Sequence, residues 1–498
     1  MNTVAGFFFS PFQEKLRTVL WLLAVSAALS LACAGQEVTT IATFNGVNGS
    51  SPVFGPVQGV DGNFYGTTYV AGANNRGSVY QVTPEGQLTT LYSFCAQAGC
   101  TDGEYVYDGL VLGTDGSFYG TTVGGGLTAN PDGTVFKITT KGVLTTLYSF
   151  CTKLNCTDGD FPATPLALGP NATYYGTTSG GGVNNLGTVF KISSKGQLTT
   201  VYNFCPQAGC TDGQGPFGPG LFEGTDGNFY GIAAGGVNGH GVVFRLTPAG
   251  KESVLYSFCG RTNCLDGSTP QSLVQVGANF YGITTSGGTG VGCGIGCGTI
   301  FKLTSAGKLT TLYNFCPQTN CVDGADPANL ILATDGNLYG TTSQGGTNNG
   351  GVLFSITPAG KFTTLYSFCS QINCPDGAFP SGLAQATSGT FWGVTQSGGT
   401  NFSTCSGGCG TIFTLSMGLA PFVETVPASG KVGSSVLILG NSLTGSTSVT
   451  FNGKAATFKV VSPTEITVTV PAGATTGSIK VLTPHSTLTS NAAFRVTP

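Results

Sequence analysis

Residues Thr114–Phe150 read TDGSFYGTTVGGGLTANPDGTVFKITTKGVLTTLYSF. Short runs of apolar and β-branched residues alternate with turns bearing Gly, Asp and Asn, and no helical period runs through them. With the preceding GLVL (Gly109–Leu112), the stretch resolves into four strands. GLVL is strand a, SFYGTT strand b, GTVFKIT strand c and VLTTLYSF strand d.

The same pattern returns along most of the chain. F-Y-G-T-T and its variants centre on Tyr65, Tyr119, Tyr175, Tyr230, Tyr281, Tyr339 and Trp392, spaced 51 to 58 residues apart. G-T-V-F ends at Tyr80, Phe136, Phe190, Phe244, Phe301, Phe354 and Phe413, and L-T-T-L-Y-S-F at Phe94, Phe150, Phe204, Phe258, Phe315 and Phe368. The third phrase has six copies against seven of the others. Its seventh, VTTIATF (Val38–Phe44), stands ahead of the first F-Y-G-T-T. An N-terminal strand that completes the last repeat accounts for this arithmetic, and an open solenoid does not. Four strands at this period predict an all-β protein, a seven-bladed β-propeller closed by its N-terminal strand over residues 35–417. A glycine recurs inside strand b (Gly66 to Gly393), where a close approach between blades is expected.

Composition narrows the function. Only 8% of the 498 residues are charged and the net charge is −3, so no basic stripe for nucleic acid is present. Ten per cent aromatic and 40% apolar content oppose disorder. Residues 1–34 read as an export signal: Lys15 and Arg17 precede the apolar run Val19–Ala34, and Ala32-Cys33-Ala34 fits a small-x-small cleavage site. A lipid anchor on Cys33 ranks second, because Ser30 stands where a lipobox prefers Leu. Nothing later is apolar enough to span a bilayer. The reading is an exported protein, secreted, periplasmic or at the cell surface, monomeric and without cofactor.

Loss of Cys33 leaves 16 cysteines in eight close pairs. Six have four intervening residues: Cys95/Cys100, Cys151/Cys156, Cys205/Cys210, Cys259/Cys264, Cys316/Cys321 and Cys369/Cys374. Two have three: Cys293/Cys297 and Cys405/Cys409. In an exported chain this pattern predicts local disulfides. A structural zinc site needs four converging ligands. Each pair belongs to a different blade, and no second pair or histidine is expected beside it. A six-residue loop closed by a disulfide gains about 2 kcal/mol at most in the chain-entropy picture.

The alternation of strands sorts the loops. The a–b and c–d turns share one face, while the b–c loops and the Cys-bearing d–a connections share the other. All eight disulfides therefore fall on one face. Twelve of 14 aspartates precede glycine, as turn chemistry favours. The exceptions, Asp160 and Asp326, lie near the start of strand a in blades three apart. A glycosidase would need two such carboxylates within about 5–10 Å. His240, in a b–c loop, and His485 are the only histidines. The d–a loops carry Tyr105, Tyr107, Phe161, Phe217 and Phe379, and the b–c loops carry Asn74, Asn75, Asn184, Asn185, Asn238, Asn348 and Asn349. Rings beside amides suit sugars or protein loops. The bland alternative is that the rings pack between blades and the Asn residues make left-handed turns.

The phrase TDGSFYGTTVGGG…GTVFKITTKGVLTTLYSF resembles the GloVer tandem repeat of exported bacterial proteins, over nearly all of residues 38–417. That resemblance implies secretion or surface display and no particular activity. Segments such as DGNFYG are also similar to propeller repeats of two-component sensors and of streptogramin-type lyases, whose activity depends on histidine. Residues 418–498, with G-N-S-L, V-T-F-N-G, V-T-V-P and a final F-R-V, resemble an IPT/TIG domain, an Ig-like sandwich; this implies a spacer or adhesion module. The expected function is non-enzymatic surface interaction or adhesion, binding glycan or protein through the disulfide-bearing face. Tyr105, Tyr107, Phe161, Phe217, Phe379, Asp160 and Asp326 are its candidate residues. A polysaccharide hydrolase or lyase using the same face, and a purely structural envelope protein, are the alternatives.

Overall fold

The computed structural model describes residues 37–127 and 132–498. The export signal and Cys33 lie outside the described residues. Within them there is no α-helix, and no helix long and apolar enough to cross a membrane.

Seven antiparallel sheets occupy the repeat region, one per unit. In the second unit, strands a to d are Val111–Leu112, Phe118–Thr122, Thr134–Ile138 and Leu144–Ser149. The fourth sheet has a fifth strand, because its strand a divides into Gln214–Pro216 and Phe222–Glu223. Gly218 and Gly220, both at φ +80°, lie in the interruption with Pro219, which has no N–H to donate. The N-terminal strand Glu37–Thr43 pairs antiparallel with Thr411–Ser416 and so completes the seventh sheet.

One aromatic contact joins every unit to the next, and a second joins all but the fifth and sixth, where Leu338 stands in place of an aromatic residue. The Phe that ends strand d meets the aromatic residue of strand c in the following unit, edge to face or tilted. The pairs are Phe94–Phe136, Phe150–Phe190, Phe204–Phe244, Phe258–Phe301, Phe315–Phe354 and Phe368–Phe413, with centroids 5.0–5.4 Å apart. Phe44–Tyr80 makes the same contact at 5.2 Å across the closure. Nearer the turns, the Tyr of one F-Y-G lies on the Phe of the next, as in Tyr65–Phe118 (4.3 Å) and Tyr175–Phe229 (4.0 Å); Trp392 stacks on Phe64 at 3.7 Å. These contacts give each sheet a dry interface on both sides.

The strand b glycine serves a neighbour in its own sheet, which corrects the expected approach between blades. Gly120 is registered opposite Phe136, and a Cβ there would stand 2.6 Å from the Phe136 ring. The ring lies flat across the strand because nothing projects from the glycine.

After Met417 the chain forms two four-stranded sheets and a parallel pair, Ser429–Lys431 with Arg495–Thr497. Val436, Ile438, Val449, Phe451, Ile466 and Phe494 are its core. This domain covers the turn face of the repeat region. Val426, Leu437 and Leu439 pack with Tyr65, Leu110 and Leu112. Thr464 Oγ1 donates to the Val60 carbonyl (2.6 Å), Ser429 Oγ to Glu223 (2.7 Å), and Arg495 pairs with Glu223.

Candidate functional site

The opposite face carries the loops. All eight cysteine pairs are closed there as disulfides. Six close the d–a loops: Cys95–Cys100, Cys151–Cys156, Cys205–Cys210, Cys259–Cys264, Cys316–Cys321 and Cys369–Cys374. Cys293–Cys297 and Cys405–Cys409 close the b–c loops of the fifth and seventh units. Both cysteines of each six-residue loop take left-handed backbone, with φ between 44° and 60°. Such φ values are unfavourable for a residue with a Cβ, so something must hold them.

Part of that support is the aspartate of the Cys-x-Asp-Gly phrase. Asp266 accepts the Tyr256 hydroxyl at 2.6 Å and the backbone N–H groups of Gly260 and Arg261 at 3.0 and 3.1 Å. Asp102, Asp158, Asp212, Asp323 and Asp376 accept in the same way from Tyr92, Tyr148, Tyr202, Tyr313 and Tyr366. Asp102, Asp158 and Asp266 are fully buried. Tyr256 and its Asp are ten residues apart, and this spacing repeats in all six copies, so the partnership was readable as a period. Burial first, then the carboxylate beside them, push the Tyr92 and Tyr256 hydroxyls well above the ordinary phenol range.

The b–c loops are tied down by their amides. Asn74, Asn184 and Asn238 donate to the carbonyls of Phe94, Phe204 and Phe258, each at 2.9 Å, and Asn348 donates to that of Cys369 at 2.7 Å. Asn75, Asn185 and Asn349 hold left-handed turns. The loop asparagines are thus framework, and the bland alternative describes them.

One position repeats seven times with a different purpose. Ser51, Tyr105, Phe161, Gly215, Thr269, Asp326 and Phe379 all have φ between 48° and 59°. Each donates its backbone N–H to a carbonyl just ahead of strand c in the preceding unit: Cys409, Arg76, Asp132, Leu186, His240, Cys297 and Gly350, at 2.8–3.1 Å. The backbone is constant and the side chain is not. Six residues with a Cβ hold a conformation that favours glycine, and such strain is concentrated where function requires it.

Several sequence-derived candidates meet here. Phe161 and Phe379 are 43% and 38% exposed. Tyr105 is half-buried between Tyr69 (5.7 Å) and the Arg76 guanidinium, which is itself paired with Glu104 at 2.9 Å. Tyr107 stands edge-on to Tyr69 at 5.3 Å and borders the central opening. Phe217 is a correction: it packs on the core around Tyr230, Leu273 and Phe280, because the split strand a of the fourth unit turns it inward.

The two isolated aspartates, in the third and sixth units, have separate partners. Asp160 bridges to Gly180 through its backbone, and its Oδ1 is buried without a hydrogen-bond partner. Burial, with Asp132 and Asp158 nearby, raises its carboxyl above the usual range. Asp326 accepts from Ser343 Oγ at 2.7 Å. No hydrogen bond joins them. Two residues missed in the sequence lie further in. Asp108 is fully buried, bonded to Thr121, with Oδ1 unpartnered and its pKa pushed up to about 8 by burial. Asn329 Oδ1 is likewise buried without a partner. Asn329, Tyr107, Gln271, Ser272 and Gln396, from four units, line a cavity of about 90 Å³ at the centre of the face. No motif marks them, since only the ring closure brings them together.

The expectation that each cysteine pair stands alone also needs correcting. Among the described residues, Glu104, Asp132 and His240 place a donor atom within 4.8 Å of the sulfurs of Cys95/Cys100, Cys151/Cys156 and Cys259/Cys264. Cys293 and Cys297 do so beside Cys321. For Asp132, His240 and the Cys293/Cys297 pair the reason is tertiary, since the b–c loop of the unit lies over its own d–a connection; Glu104 stands four residues after Cys100 in the same connection. Every one of these cysteines is held in a disulfide and offers no thiolate.

Cys210 and Cys374 differ from those cases. Among the described residues, no third donor atom gathers around Cys205–Cys210 or Cys369–Cys374. What Cys210 and Cys374 contribute beyond the disulfide is backbone. Their N–H groups donate to the carbonyls of Gln207 and Gln371, at 3.2 and 3.0 Å. Their carbonyls accept from Gly213 and Gly377 within the loop, and from Gly236 and Gly399 of the b–c loop, at 2.9–3.2 Å. Both tie two loops together through their backbone.

Fold and loops together define an all-β repeat protein of antiparallel sheets with a disulfide-stapled face and a C-terminal β domain. The chain belongs to the Gloeobacter/Verrucomicrobia repeat family, whose model matches residues 26–218, 96–295 and 206–413; residues 422–496 match the IPT/TIG domain. The sequence matches no curated protein. Among solved structures it is similar to the extracellular domain of a hybrid two-component system from B. thetaiotaomicron, at 10% identity and TM-score 0.48, covering 82% of this chain and 46% of that one. It is also similar to the PQQ-bound aldose sugar dehydrogenase of Streptomyces coelicolor, at 14% identity and TM-score 0.39, covering 77% and 98%. The chain spans about half the length of the first of these.

Proposed function

We propose that the protein is an exported, non-enzymatic interaction module: a seven-bladed β-propeller of residues 35–417 joined to an Ig-like domain of residues 418–498. Its binding face is the disulfide-bearing one. One observation carries this reading. Seven equivalent residues share one strained backbone and one hydrogen bond, yet differ in side chain from Ser51 through Tyr105 to Asp326. A purely structural joint gains nothing from that variation, whereas a recognition surface is made of it. Eight disulfides suit an oxidising compartment outside the cytoplasm. The C-terminal domain covers the other face and leaves this one free.

The test is retention of the protein on immobilised extracellular polysaccharide and envelope-protein fractions, compared with a Tyr105→Ala, Phe161→Ala, Phe379→Ala variant of unchanged melting temperature. Loss of retention is expected. Undiminished retention would place the binding surface elsewhere.

A further inference from the structure

The seven display positions are not evenly filled. Exposed or half-exposed rings occupy one continuous arc. Phe379 and Phe402 come from the seventh unit, Tyr69 from the first, Tyr105 and Tyr107 from the start of the second, and Phe161 from the start of the third. The seventh and first units adjoin through the N-terminal strand and the Phe44–Tyr80 contact, so this arc is unbroken. Across the ring, the fourth to sixth units present Gly215, Thr269 and Asp326 at the equivalent positions. Between the two sectors lies the central cavity, whose polar lining is Tyr107, Gln271, Ser272, Asn329, Ser381 and Gln396. These are neutral groups able to donate and accept, and Asn329 Oδ1 still has an acceptor site unfilled.

Charge decides the ligand class. Arg76, beside Tyr105, is already engaged by Glu104 and the Tyr105 ring, while Lys153 is exposed in the disulfide loop that leads to Phe161. No cation lines the central cavity, Asp160 is the residue next to Phe161, and Asp326 lies in the opposite sector. A sulfated or uronic-acid polymer would find a single lysine at the edge of the arc, a carboxylate beside Phe161 and no counter-charge in the cavity. A neutral sugar offers apolar ring faces to stack and hydroxyls for amides. We infer that the disulfide-bearing face binds a neutral polysaccharide laid along the aromatic arc, its hydroxyls bonded by the amides and hydroxyls of the central opening. This rests on the proposed function and names its ligand.

Affinity electrophoresis of the intact protein in gels containing xyloglucan, galactomannan or dextran, against alginate and dextran sulfate, tests it. The expected result is retardation by at least one neutral polymer and insensitivity to salt. A Tyr107→Ala, Phe161→Ala, Phe379→Ala variant that melts normally should bind at least about tenfold more weakly. Binding to the acidic polymers alone, or to none, overturns the inference, as does a variant that binds like the native protein. The face also exposes aliphatic tips such as Leu127, Leu154, Val183 and Ile372. Phosphatidylglycerol vesicles, with carbene footprinting, are therefore included. Vesicle binding that protects these tips, without neutral-glycan binding, overturns the glycan inference and leaves the face intact as the binding surface. Glycan binding whose footprint falls on the C-terminal domain overturns the face itself.

Discussion

On the turn face, Asp61, Asp115, Asp226 and Asp335 each accept the hydroxyl of the Tyr four residues on, at 2.7–3.0 Å. The turns are short and nearly identical, and a second domain closes over them. On the loop face the same seven units have long connections whose backbone groups are satisfied by buried aspartates, asparagine amides and one recurring inter-unit hydrogen bond. A tight turn has no position to spare, because each residue is set by φ or by a hydrogen bond. A long loop with its polar backbone accounted for can vary one side chain freely. Repetition therefore yields a docking platform on one side and a display surface on the other.

The comparison breaks first at the joint common to both faces. Phe301 is fully buried, in contact with Phe258 and lying across Gly282. Phe301→Ala should cost about 3–5 kcal/mol in denaturant unfolding and loosen both faces together. A one-sided effect comes next. Asp266→Ala strips the acceptor from Tyr256 and two N–H groups and should cost about 2–3 kcal/mol. Hydrogen exchange should rise in the Cys259–Gly267 loop and stay unchanged at the turns. Reduction of the disulfides should act on the same face, by about 2 kcal/mol per loop at most. Equal deprotection of the turn face would contradict the division.

Two unpaired acids sharpen the comparison by pH. Burial raises Asp108 to about 8 on the loop side, and Glu424 to about 6 under the C-terminal domain. A carboxyl whose folded pKa lies above its unfolded value favours the fold fully only below the unfolded value. The contribution is lost as pH rises: from about 4 to about 8 for Asp108, and from about 4.5 to about 6 for Glu424. Asp108→Asn should raise the neutral-pH melting temperature. Glu424→Gln should remove the loosening of the C-terminal domain between about pH 4.5 and 6, an effect on the order of 1 kcal/mol. The smallest change is a gain. Tyr80 buries a hydroxyl with no partner, where the other six units carry Phe opposite the strand b glycine. Tyr80→Phe should add up to about 1 kcal/mol in thermal unfolding.

Much of this was legible in the chain. Alternation and turn chemistry are local, so strands a to d, their sevenfold count and the N-terminal strand that completes the last sheet follow from residues within one period. The cysteine pairs and their common face follow from the same alternation. What the chain alone left open was the fate of each loop side chain. Phe161 and Phe217 look alike in sequence, yet one is exposed and the other packs inward, because a Gly-Pro-Gly interruption redirects only the fourth strand a. The cysteine pairs are alike too, yet His240 stands beside the sulfurs of Cys259–Cys264 while, among the described residues, no third ligand atom gathers around those of Cys205–Cys210 and Cys369–Cys374. The left-handed position, the central amides from three units, and the coverage of the turn face rather than the loop face exist only after closure. Local preference writes each unit, but burial and exposure depend on what the neighbouring unit and the second domain place against it.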